Sequence, residues 1–363
     1  MNILFVSDLN GDLTKGPNNS VPKQVQAQSQ IDNVLWLNLR KSGLAAWHKF
    51  DFYREAGKKD VSLNELEFPF ASPDFIFFEG LYEYPFNRLA VEAMRGEIPY
   101  VIVPRSAMTD CAQRQKPLKK IVGNSVFFNK FVRKARGVQF LTHAEMLQSS
   151  RWATQSAFVV PNGIDLLQHD GLWKHEAHEG IKAAYIGRLD IYQKGIDLLL
   201  DACLIKQEEL RAKGFSLDLY GPDFKGSLPI IEDSIHKAGI GDIVHLRAPV
   251  FGEEKRRVLL ASDVFIMASR FEGFSMGLIE ALSLGLPAVA STGTNVAEDI
   301  EAAGAGWNAG SSVETLAAVL SAITPDQLGK GKGNAVKFAS RYQWNAIARQ
   351  THDCLIEMME SKK

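Results

Sequence analysis

Residues 268–294 read ASRFEGFSMGLIEALSLGLPAVASTGT: a strand end, a turn with two glycines, a short helix and a second strand. Leu278, Ala281 and Leu282 keep helical spacing, Gly285 stands where a helix stops, and Pro287 cannot continue it. Residues 288–290 then resume as a buried strand. The amides of residues 273–277 are therefore expected to open a helix. Amides at a helix start, with the positive end of its dipole behind them, attract an anion, and Gly273 and Gly277 leave room for a phosphate to approach. Phe274, Ser275 and Met276 complete that turn.

Two carboxylates flank it. Glu272 and Glu280 have seven residues between them, which puts one in the loop before the amides and the other about one turn into the helix. A carboxylate aimed at bound phosphate is repelled, so both are expected to point aside, at hydroxyl donors such as those of a sugar or a ribose. A plainer reading also holds for acidic residues here, since they suit the first turn of any helix. The Glu-x7-Glu pattern, with Gly-Phe after the first Glu and Ala-Leu after the second, resembles the donor site of family-4 retaining glycosyltransferases of the GT-B fold. The resemblance implies that Glu272 contacts the transferred sugar, Glu280 the nucleotide ribose, and the 273–277 amides the diphosphate.

Composition sets outer bounds. A chain of 363 residues that is 46% hydrophobic can fill one large core or two ordinary ones, and two domains are expected. The formal net charge of −1 gives no global field that would favour nucleic acid. Cys111, Cys203 and Cys354 are far apart and odd in number, which suits a reducing cytoplasm. The opening MNILFVSDLN enters a strand at once without a basic or long apolar leader, and no run reaches the roughly 18 apolar residues of a membrane span. A soluble protein is expected, with surface attachment to a membrane open.

Along the chain, short apolar runs alternate with helix-length segments, the pattern of βαβ units in a parallel sheet. Residues 2–6 read as the first strand. A polar loop with Gly11 and Gly16 follows, then a helix-like segment over about residues 21–39. In the resembled family this loop carries a Gly-Gly pair facing the donor phosphates; Gly16 is the nearest equivalent, although an ordinary surface loop fits it equally well. Functional residues of such sheets belong at the carboxyl ends of strands. Glu79 and Arg105 occupy such ends, and His143 follows the strand over residues 138–142. By resemblance Arg105 faces the acceptor side of the cleft; alternatively it is a local ion-pair partner, and His143 could cap or pack.

Residues 111–144 contain no acidic residue and eight basic ones, Arg114, Lys116, Lys119, Lys120, Lys130, Arg133, Lys134 and Arg136, interleaved with Phe127, Phe128 and Phe131. Were the phenylalanines exposed, this segment, 114–136, would suit an anionic membrane surface. If they are core, it is a solvated basic helix. No nucleic-acid motif accompanies it.

The string PNGID at 161–165 breaks regular structure and is similar to the family's interdomain linker. His169, His175 and His178 follow closely, but no Cys or carboxylate set completes a metal shell. Next, Gly187 and Arg188 follow a strand and Lys194 precedes a helix, so two cations can reach one crevice at a sheet edge and hold a diphosphate. Arg-x5-Lys-Gly resembles the family's diphosphate-binding pair, and Arg247 opens a loop like its nucleobase-side loop. GxGxxG after the first strand, GxxxxGK[ST] and Asp-x-Asp are all absent, which removes support for a dehydrogenase, a P-loop ATPase and a metal-dependent donor site.

These readings converge on an α/β, GT-B protein. Two Rossmann-like parallel-sheet domains would face each other across a cleft, with acceptor binding in 1–160, the nucleotide-sugar donor in 165–340, and a terminal helix near 343–363 packing back on the first domain. The expected activity is retaining transfer from a UDP- or GDP-linked sugar to an acceptor hydroxyl, in polysaccharide or lipopolysaccharide assembly, without cofactor or metal. The expected partners are the nucleotide sugar and a carbohydrate or lipid-linked acceptor. The rival readings are an epimerase or hydrolase on the same fold, and a catalytically silent nucleotide-sugar-binding subunit.

Overall fold

The computed structural model describes residues 1–13, 15–96, 98–165 and 179–360; His169, His175 and His178 lie outside the described residues. The chain divides into two compact units, Met1–Gly163 with Trp344–Lys363, and Ile164–Gln343.

The first unit carries a seven-stranded sheet built from β1 (Asn2–Ser7), β2 (Asn33–Asn38), β3 (Tyr53–Glu55), β4 (Phe75–Glu79), β5 (Tyr100–Val103), β6 (Gly137–Phe140) and β7 (Ala157–Val159). Its order is β3-β2-β1-β4-β5-β6-β7, with every pairing parallel. The second unit repeats the plan with β8 (Ile181–Ile186), β9 (Phe215–Tyr220), β10 (Val244–Arg247), β11 (Val264–Met267), β12 (Ala288–Ala290) and β13 (Gly306–Asn308), in the order β10-β9-β8-β11-β12-β13. Both sheets are Rossmann-like. Each reverses its winding once, between β1 and β4 and between β8 and β11, and at those points the loops that leave adjacent strands run in opposite directions.

The sequence explains why these strands are central. Along β11, Val264 and Ile266 enter one core cluster and Phe265 and Met267 another, all fully buried, as a strand covered by helices on both faces requires. The first unit keeps its own core around Leu4, Val6, Ile76, Phe78, Ile102 and Phe131. The helix Trp344–Glu360 belongs to that unit: Trp344 and Ala348 pack on Ala27, and His352 Nδ1 lies 3.0 Å from the buried Asp32 carboxylate. Among the described residues no helix is long and apolar enough to cross a membrane.

Two segments differ from expectation. Residues 21–39 are not one helix: the helix Gly16–Gln28 ends, and Asn33–Asn38 forms β2, buried at all but its first position. A continuous apolar run fits a buried strand as well as a helix, and here its ladder to β1 decides the matter. The phenylalanines of the basic segment are core: Phe127, Phe128 and Phe131 are all at most 5% exposed.

Gly195 holds two loops of the second unit together. It sits at φ +63°, and an added Cβ would stand 2.0 Å from the Ala268 carbonyl oxygen. Gly195→Ala is therefore expected to cost about 2 kcal/mol or more, seen as a lowered midpoint in thermal or urea unfolding. An unchanged midpoint would show that this close approach is not needed.

Candidate functional site

The loop after β8 and the loop after β11 meet at the winding reversal of the second sheet. Their joint is made of several contacts. The Arg270 amide donates to the Gln193 carbonyl at 2.9 Å, and Arg270 spans to Asp197 with two 2.7 Å hydrogen bonds. Its guanidinium also lies 4.7 Å from the centroid of the Tyr192 ring. This bidentate pair fixes the head of the helix Ile196–Ile205 against the start of the 268–277 loop.

Within the joint, Lys194 Nζ and Glu272 Oε1 form a close ion pair although they are 78 residues apart in sequence. Both side chains are mostly buried. Ser269 Oγ donates to the same Glu272 oxygen at 2.8 Å, and Asn295 Nδ2 donates to the Glu272 backbone carbonyl at 2.6 Å. Glu272 is thus fixed from three directions. Arg188, exposed on the same β8 loop, stacks its guanidinium 4.8 Å from the Phe224 ring centroid and lies 3.5 Å from Gln193 Oε1. Gly187, just before it, donates its amide to the Tyr220 carbonyl at 3.0 Å, tying the loop to the end of β9.

The turn ahead of the helix Met276–Ser283 has free donors. The Met276 amide folds back on the Phe274 carbonyl, but among the described residues no protein acceptor takes the amides of Gly273, Phe274, Ser275 or Gly277. The Ser275 hydroxyl is buried and has no partner. Five donors concentrated at the positive end of a helix are an arrangement to which anions are attracted in general. A Cβ built on Gly277 would come no closer than 3.6 Å to any atom. Packing therefore does not demand glycine there. Glu280, on the exposed side of this helix, is paired with Lys255 of the helix Gly252–Leu260.

The remaining expected residues are distributed as follows. Arg247, at the end of β10, is engaged by Asp218 through a 2.8 Å hydrogen bond, which raises its already high pKa. Gly16 opens the helix Gly16–Gln28 of the first unit, and nothing lies within 4 Å of its Cβ position. Glu79 and Arg105 face inward and make a buried ion pair at 2.7 Å. Burial pushes the Glu79 carboxyl up, against the opposing pull of Arg105. Arg105 also donates to Ser20 at 3.1 Å, Gln24 at 3.0 Å and Asn162 at 3.4 Å. With φ +48° and few donors to spare, it fastens β4, β5 and the first helix together. Its guanidinium is thus taken up by a local ion pair. His143 is exposed at the first position of the helix His143–Gln148, whose cap is Thr142, not His143.

Sequence reasoning passed over Ser269, Arg270, Asn295 and Lys255. The first two stand within three residues of Glu272 and could have been included with it. Asn295 takes φ +65° in a turn, and Lys255 lies in a GEEKRR run indistinguishable from a solvated helix face. Among the described residues no group of three His, Cys, Asp or Glu could hold a metal ion.

Comparison with known proteins bears on the fold and on what the second unit is similar to. Residues 180–325 match the family model "Glycosyl transferases group 1". The chain is 26% identical over 216 residues to MMP alpha-(1->4)-mannosyltransferase of Mycolicibacterium hassiacum, covering 57% of this chain and 50% of that protein. It is 28% identical over 169 residues to the amylovoran biosynthesis glycosyltransferase AmsK of Erwinia amylovora, covering 45% and 39%. The aligned part thus spans about half the length of the curated relatives. Among solved structures, Anabaena Alr3699/HepE in complex with UDP superposes with a TM-score of 0.74 at 18% identity, covering 98% of this chain and all of that one. The lipopolysaccharide outer core galactosyltransferase WaaB gives 0.71 at 14% identity, with both chains fully covered. The chain therefore has the GT-B fold, and the part of it that matches the family model lies within the second unit.

Proposed function

We propose that the chain is a retaining glycosyltransferase that moves a sugar from a UDP- or GDP-linked donor to a hydroxyl of a carbohydrate or lipid-linked acceptor, in polysaccharide or lipopolysaccharide assembly in the cytoplasm. The observation that carries this reading is the meeting of Lys194 with Glu272 beside Arg188 and the unpaired donors of the 273–277 turn. The names of the relatives supply further support, as do the Anabaena HepE structures that hold UDP and UDP-glucose.

In this reading the diphosphate lies over the 273–277 amides and the Ser275 hydroxyl, between Arg188 and Lys194. The bond from the anomeric carbon to the β-phosphate oxygen breaks, and negative charge grows on that oxygen. The acceptor oxygen bonds the carbon on the same face, and its proton passes to the departing phosphate. Lys194 is poised between the phosphate and Glu272, so the carboxylate that orients the sugar also orients the ammonium that stabilises the leaving group. Glu280, steadied by Lys255, takes the ribose hydroxyls, and Arg247 borders the base. On the first unit His143 is the exposed acceptor-side candidate, while Glu79 and Arg105 act as positioning residues. Fixed cations supply the positive charge, so transfer is proposed to require no metal.

Turnover with a panel of UDP- and GDP-sugars in excess EDTA tests this. Wild-type protein is expected to transfer the sugar only when an acceptor is supplied, and Arg188→Ala and Lys194→Ala to lower kcat by about a hundredfold or more. Full activity in either variant would remove that cation from the site. Epimerised or hydrolysed donor without transfer, or binding with no reaction, would replace the proposal with one of its rivals. Gly277→Ala gives a sharper test, because the new methyl group comes no closer than 3.6 Å to a protein atom and favours the helix. Its melting midpoint should match or exceed that of the wild type while calorimetric affinity for UDP or GDP falls about tenfold or more, the scale of one lost charge-assisted hydrogen bond. Unchanged affinity would mean that no phosphate approaches that turn.

A further inference from the structure

Pro117–Gly123, the π-helical turn Asn124–Phe128 and Asn129–Lys134 run on as one helix of the first unit. Its inner side is spent on the core through Phe127, Phe128, Phe131 and Val132. Its outer side is unusual. Leu118 is 80% exposed, and Ile121, Val122 and Val126 are each more than 60% exposed. These four follow the three-to-four-residue spacing of a single stripe.

Around the stripe the charge has one sign. Lys120, Lys134 and Arg136 are occupied internally, on the carbonyls of Ala112, Met94 and Met358. Arg114, Lys116, Lys119, Lys130 and Arg133 are exposed, and among the described residues none forms an ion pair. The segment 111–144 has no carboxylate of its own to neutralise them.

We propose that this helix docks the protein on an anionic lipid surface, with Leu118, Ile121, Val122 and Val126 entering the headgroup boundary and the five free cations held by lipid phosphates. Charge selects this occupant over the others. A second copy joined through the same face would oppose two sets of uncompensated cations, and a nucleic acid would leave the four aliphatic side chains without a role. A lipid surface satisfies both at once, because apolar burial and attraction to anionic lipid add. The inference does not depend on the proposed transfer reaction, since its readout involves no donor.

The test is co-sedimentation of the full chain with phosphatidylcholine vesicles with and without phosphatidylglycerol. Wild-type protein is expected to partition onto the anionic vesicles, about tenfold or more above the neutral ones and less at high salt. The charge reversal Lys119→Glu/Lys130→Glu/Arg133→Glu should lower partitioning about a hundredfold or more. Separately, the replacement Leu118→Ser/Ile121→Ser/Val122→Ser/Val126→Ser should lower it at least about tenfold. Both sets change only exposed side chains, and a wild-type melting midpoint checks the fold of each. Absence of partitioning, wild-type binding by either variant, or a wild-type dimer in sedimentation velocity that the serine variant converts to monomer would each overturn the proposal. Binding to a single-stranded oligonucleotide that the charge reversal abolishes and the serine variant retains, without vesicle binding, would overturn it in favour of nucleic acid.

Discussion

Two neighbouring parallel strands whose outgoing loops turn to opposite sides of a sheet leave a gap at its carboxyl edge that backbone alone does not close. In the second unit that gap lies between β8 and β11. The arrangement of the site follows from how it is spanned: Arg270 to Asp197, Gly195 against Ala268, and Lys194 to Glu272. The first two contacts are structural fasteners. The third is of another kind, because a mostly buried ammonium and carboxylate pay a desolvation cost that only good geometry and added hydrogen bonds offset. Ser269 supplies such a bond to the carboxylate, and Asn295 holds the Glu272 backbone in place. An ion pair placed where a well-packed aliphatic pair would hold the loops as firmly points to charge that has work to do.

The same unit separates its two glutamates by environment. Glu272 is nearly enclosed, whereas Glu280 keeps about two fifths of its side chain in solvent and is steadied by Lys255. Enclosure suits a group that must stay fixed while a neighbouring bond breaks. Exposure suits a group that meets hydroxyls arriving from outside. Between them, the amides without protein acceptors and the Ser275 hydroxyl form a row of donors, and a buried hydroxyl left without a partner is uncommon in folded proteins.

Much of this was legible in the sequence because it is local. The Gly-rich turn, its helix and the strand after it were readable from spacing and breakers, and so were the strand–Arg and Lys–helix junctions at Arg188 and Lys194. Two classes of feature were not. Burial could not be assigned to a mixed basic and aromatic run: Phe127, Phe128 and Phe131 turned inward, and four aliphatic residues of the same helix took the outer face. Nor could pairing across the fold. Lys255 reaches Glu280 only because the two helices are neighbours, Arg105 is consumed by Glu79 and three further acceptors, and β2 is a strand only because β1 lies beside it.

The central claim is that a pyrophosphate lies at the winding reversal of the second sheet, and a crystal structure of the protein with a UDP- or GDP-linked sugar tests it most directly. Phosphate oxygens are expected within hydrogen-bonding distance of the Arg188 guanidinium, Lys194 Nζ and at least two of the amides over residues 273–277. A diphosphate bound elsewhere, with those amides facing water and Lys194 still committed wholly to Glu272, would contradict it.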